Sequence, residues 1–126
     1  MTIAANDVNV ISVETDDLNF PVNTNIIVTV EAEAGSALFA TGGSYLVKMT
    51  MTDTTSPQLV YQQQIPGNYS DPNWPTPVST FTFTVPGAAT ATLVGDLLEP
   101  QARVIGNAVA PFDASFTVGQ RILLTP

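Results

Sequence analysis

The chain has no histidine and no cysteine. That removes Ser-His-acid and Cys-His nucleophile systems, along with imidazole and thiolate metal sites. Carboxylates remain for acid–base work. A glycosidase-type pair needs two of them across a cleft at a set separation. Glu31 and Glu33 lie two residues apart on one strand face and read as solvated surface. No glycine-rich phosphate loop follows a strand and opens a helix. The expectation is a protein that is not an enzyme and uses no cofactor. Glu14, Asp16, Asp17 and Asn19 gather in one segment, with Asp7, Asp53 and Asp71 elsewhere, and supply oxygen donors of the type calcium takes. Their spacing matches no ligand loop, and turn-forming Asp and Asn account for them without a metal.

Two apolar features could make contacts. From Pro66 to Pro77 four prolines forbid a regular ladder and stiffen a segment that carries Tyr69 and Trp74. These aromatics could stack on a sugar, with Asn68, Asp71 and Asn73 supplying hydrogen bonds, or anchor a protein partner. The bland alternative is that Trp74 folds back to cap the core. The second feature is the tail Ile122, Leu123 and Leu124 within residues 120–126. Three consecutive aliphatics will pair with an edge, either inside this chain as a final strand or on a neighbouring subunit.

Composition bounds the rest. At 126 residues the expectation is one domain over 1–126, with 44% hydrophobic and 11% charged residues, the polarity being carried by neutral side chains. Eleven acids against Lys48, Arg103 and Arg121 make a net charge of -8. Three cations spread over the chain cannot form the footprint that phosphate backbones require, so no nucleic-acid partner is expected. No apolar run reaches membrane-spanning length, and no basic region followed by an apolar run opens the chain, so membrane insertion is not expected and the sequence as written stays cytoplasmic.

The elements that must position these residues are strands. The organising one is Val78–Val85, where Phe81, Phe83 and Val85 alternate with Thr80, Thr82 and Thr84. Ile26 to Glu33 alternates as clearly, with Ile26, Val28, Val30 and Ala32 inward, and is expected in the sheet opposite the organising strand. Tyr45 to Thr52 puts Tyr45, Val47, Met49 and Met51 on one face. Val8 to Val13 is a first short strand, and Leu59 to Ile65 an edge strand with Leu59, Tyr61 and Ile65 aligned. Phe39 plugs one end of the core. Ala91 to Leu98 reads as a strand with Gly95 as a bend, Arg103 to Ile105 as a short strand in a mixed connection, and Phe112 to Val118 as a strand with Phe112, Ala114, Phe116 and Val118 on one face. One helical turn fits at Ala88 to Ala91.

About seven short alternating strands predict an all-β antiparallel sandwich, with a jelly roll as the alternative and a closed small barrel behind it. The stretch Thr90-Ala91-Thr92-Leu93-Val94-Gly95-Asp96-Leu97-Leu98 followed by Phe112 to Gly119 resembles the last two strands of bacterial immunoglobulin-like modules. The resemblance implies an immunoglobulin-like architecture. It differs from antibody-type domains in lacking paired cysteines and in placing its only tryptophan, Trp74, in a loop. The functional expectation is a non-enzymatic structural or accessory module acting through a protein partner or self-association. The alternative is a carbohydrate-binding module built on Tyr69 and Trp74.

Overall fold

A computed structural model describes residues 7–36, 38, 43–69, 78–106 and 114–126. Nine strands run through them: β1 (Val8–Thr15), β2 (Asn19–Pro21), β3 (Ile26–Ala34), β4 (Ser44–Asp53), β5 (Gln58–Asn68), β6 (Val78–Val85), β7 (Leu97–Ile105), β8 (Ala114–Val118) and β9 (Ile122–Thr125). A 3-10 turn at Gly87–Thr90 follows β6. The strands form two sheets with a common core, a β-sandwich. The smaller sheet has the order β1-β3-β6, and the larger runs β2-β9-β7-β4-β5 with β8 also on β7.

The inward faces follow the period of two. Ile26, Val28, Val30 and Ala32 of β3 and Val47, Met49 and Met51 of β4 have no exposed surface, and Phe83 and Val85 of β6 have almost none. At one end Tyr45 packs its ring 5.3 Å from Tyr69 and 5.8 Å from Phe81, centroid to centroid. Contrary to expectation, β3 does not face β6 across the sandwich; the two pair side by side, Val30 opposite Phe81 and Val28 opposite Phe83. Alternation fixes which face is buried and is silent on which sheet a strand joins.

The largest departure lies between residues 91 and 105. Residues 91–96 form turns, not a strand, and the strand is Leu97–Ile105, in the centre of the large sheet between β4 and the β8/β9 pair. Its inward residues are Leu98, Pro100, Ala102 and Val104. Small side chains and a proline hide the alternation. Proline has no ladder donor, yet here it costs little, because the partner strand breaks opposite it. β8 pairs with residues 101–105 and β9 with 97–98, leaving Gly119 to Arg121 between them, and Gly119 N–H donates to Pro100 O at 2.8 Å. A side chain on Gly119 would run into Val13 O and meet Pro100 Cγ at 2.9 Å, so the break also needs a glycine.

β8 is turned over relative to the sequence reading. Phe116 is 51% and Val118 44% exposed, while Ser115 and Thr117 face the small sheet. Ser115 Oγ accepts from Val10 N–H at 3.1 Å, and Thr117 Oγ1 donates to Val10 O at 3.2 Å. These hydroxyls take up polar groups that β1 would otherwise leave open at a sheet edge. In β5 Tyr61 and Ile65 pack against the core, but Leu59 is 53% exposed. The register slips where Met51 opposes Tyr61 and Thr52 opposes Leu59, a bulge that reverses the face beyond it. Phe39 and Phe112 lie outside the described residues.

Candidate functional site

The residues expected to make contacts are placed as follows. Tyr69 is only 3% exposed, and its hydroxyl donates to Gly106 O. Its ring is a core group and offers no stacking face, which corrects its reading as a platform. Asp71, Asn73 and Trp74 lie outside the described residues. The tail forms β9, parallel to β2 and antiparallel to β7, with Ile122 and Leu124 at 0% and 1% exposure and Leu123 at 37%. Ile122 and Leu124 are spent on this chain's own core and are not available to a partner. Glu31 and Glu33 point outward from β3, and Glu33 accepts from Asn9 Nδ2 at 3.3 Å. Asp16 and Asp17 accept backbone N–H groups from Ile27 and Leu18 and so shape the β1–β2 turn. Among the described residues no group of three or more acidic side chains is arranged to hold a metal.

One carboxyl pair escaped the sequence reading. Asp53, 2% exposed at the end of β4, meets Asp96 side chain to side chain. Burial pushes the Asp53 pKa up, but hydrogen bonds from Asp96, Ser56 N–H, Gln58 and Thr55 N–H outweigh it and hold the group below the usual carboxylate range. The Asp96 pKa is raised, first by its hydrogen bond to Asp53, then by desolvation, then by repulsion. When Asp96 is protonated it donates to the Asp53 carboxylate. Carboxyls in direct contact leave no room for a glycosidic bond between them, so this is not glycosidase geometry.

Two surfaces stand out. The first is the outer edge of β5, at the end of the large sheet. Among the described residues β5 pairs on one side only, with β4. It is eleven residues long, and from Thr54 to Ser70 the chain has no charged residue. Edge strands are commonly guarded by lysine, inward charge or proline. Here the devices are Pro66, close to one end, and the bulge near the other, between Leu59 and Tyr61.

The second is a shallow trough of roughly 160 Å³ on the outer face of the large sheet, lined by Lys48, Thr50, Gln101, Ala102, Arg103 and Phe116. Lys48 and Arg103 are direct cross-strand partners, and Arg103 is opposite Phe116 on the other side. The Arg103 guanidinium lies over the Phe116 ring, 5.9 Å from its centroid. Among the described residues the ion pair is Arg121 with Glu99, at 3.3 Å; Lys48 and Arg103 have no carboxylate partner. The sequence reading, which counted three scattered cations, missed this. Lys48 and Arg103 are 55 positions apart in the chain, and only the β4–β7 register sets them side by side.

No family model matches the chain, and no curated protein matches it in sequence. Solved structures do resemble it. A candidate β-galactosidase from Bacteroides fragilis aligns with 93% of the chain at TM-score 0.58 and 14% identity. A β-glucuronidase from Bacteroides uniformis aligns with 89% at TM-score 0.59 and 5% identity. The chain spans only 17% and 14% of those proteins. A looser likeness is to AggA, the major subunit of aggregative adherence fimbriae type I from Escherichia coli, with TM-score 0.46 at 12% identity over 99% of both chains. At these identities the first two likenesses establish a β-sandwich that also occurs as a minor part of larger sugar hydrolases.

Proposed function

We propose that the protein is a non-enzymatic structural or accessory module of immunoglobulin-like type that works by protein contact, with the outer edge of β5 as its pairing surface for a second copy. The strand order β1-β3-β6 over β2-β9-β7-β4-β5, with a parallel β2–β9 pair, supports the immunoglobulin-like reading. The observation that carries the contact reading is the long, charge-free β5, singly paired among the described residues. Bodies of net charge -8 repel, and such an edge is where two of them can approach without setting acid against acid. Antiparallel pairing of β5 with β5 of a second copy would be two-fold symmetric and would extend the large sheet across both molecules. The carbohydrate alternative loses Tyr69 as a platform and rests, in that segment, on Trp74.

Light scattering across a concentration range tests this. A concentration-dependent dimer that Gln62→Lys together with Gln64→Lys abolishes, at unchanged melting temperature, is expected. Both side chains are exposed, so the charges act on the approaching copy and not on the core. A monomer at every concentration, or a dimer indifferent to the two lysines, refutes the edge as the contact.

A further inference from the structure

The trough across β4, β7 and β8 carries a second inference, independent of the β5 edge. Of 14 charged residues 11 are acidic, yet two of the three cations sit directly opposite each other and share no counter-ion among the described residues. Like charges in that register repel each other across the strands. An anion between them would relieve the repulsion and gain charge-assisted hydrogen bonds from both. Beside them Phe116 is half exposed, and the part of its ring not covered by Arg103 offers an apolar face.

The surroundings narrow the ligand. The row through Lys48 and Arg103 continues to Gln64 on β5, and the next row reads Gln62, Thr50, Gln101 and Val118. Amides and hydroxyls both donate and accept, which suits vicinal hydroxyls that do the same. A peptide would seek open backbone at an edge. The trough lies mid-sheet, where β4 and β7 have strands on both sides. A doubly charged phosphate or a densely sulfated chain would also feel the net charge of -8 more strongly than a single carboxylate would. The geometry points to a binding site for a uronic acid residue: its carboxylate between Lys48 and Arg103, its C–H face on Phe116, and its hydroxyls toward Thr50 and Gln101.

Calorimetric titration with tetragalacturonate at low ionic strength tests the assignment, with a neutral tetrasaccharide, poly-glutamate and dextran sulfate as comparators. The expected result is saturable binding of the uronate, weakened at least about tenfold by Arg103→Gln or by Lys48→Gln. Arg121→Gln, which removes the cation already paired with Glu99, should leave binding within about twofold. Thermal melts of each variant show whether it is folded. No binding by the folded wild-type protein, equal binding of the neutral sugar, or binding indifferent to Lys48 and Arg103 overturns the proposal. Equal or tighter binding of poly-glutamate overturns it in favour of an acidic peptide, and of dextran sulfate in favour of a general polyanion site. None of these outcomes bears on dimerisation through β5.

Discussion

Replacing Leu124 and Leu123 one at a time by alanine asks whether the final strand belongs to this chain's core or to a neighbour. Leu124 is 1% exposed and held at both backbone groups, its N–H donating to Asp96 O at 3.0 Å and its O accepting from Gly95 N–H at 2.8 Å. A strand tied down this way cannot collapse into the space that truncation leaves. Three lost carbons cost about 2.4 kcal/mol in transfer, and the unfilled cavity brings Leu124→Ala to about 3 to 4 kcal/mol. With an unfolding entropy of about 2.1 cal/mol/K per residue over 126 residues, that lowers Tm by about 13 °C. Leu123 is 37% exposed on the outer face, leaves no cavity, and should cost under about 1 kcal/mol, or some 3 °C. Circular dichroism melts at a single concentration read both values. Equal losses, or a Leu124→Ala protein that melts within about 3 °C of wild type, refute the placement of β9. Ending the chain at Gly119 should abolish cooperative folding rather than only block assembly.

The Asp53–Asp96 pair makes stability depend on pH. A raised Asp96 pKa means the folded chain holds that proton more readily than the unfolded one, so its penalty is full at neutral pH and is relieved as pH falls toward the ordinary carboxylate range. The lowered Asp53 pKa adds stability above that range, which is lost as pH falls through the Asp53 value. Asp96→Asn keeps a donor for Asp53 without the charge, so it should melt higher than wild type at pH 7, with the gap closing on acidification; melts from pH 7 to 4 check this. Thr90, fully buried, accepts from Asn23 N–H at 3.2 Å and donates to Gly87 O at 3.0 Å, joining the 3-10 turn to the β2–β3 connection. Thr90→Val orphans both groups at nearly constant volume and should cost about 1 to 3 kcal/mol in chemical denaturation. A cost below about 0.5 kcal/mol would mean that water replaces the hydroxyl there.

Alternation over eight or more residues made β3, β4 and β6 legible with their buried faces, because burial on one side leaves a period of two whatever the neighbours are. The absence of histidine and cysteine, the all-β class and the edge position of β5 were legible on similarly local grounds. The sequence could not show β7 as a central strand, since its inward positions hold Pro100 and Ala102, and the break at Gly119 that excuses the proline lies in another segment. Nor could it orient β8, where Phe116 would be the obvious core residue. Ser115 and Thr117 turn inward instead, because Val10 of β1 presents backbone groups for them to satisfy. The trough is the same kind of fact. Residue types and local period are properties of the chain, but the meeting of Lys48, Arg103 and Phe116 is a property of strand order and register, which are set only when the sheets form.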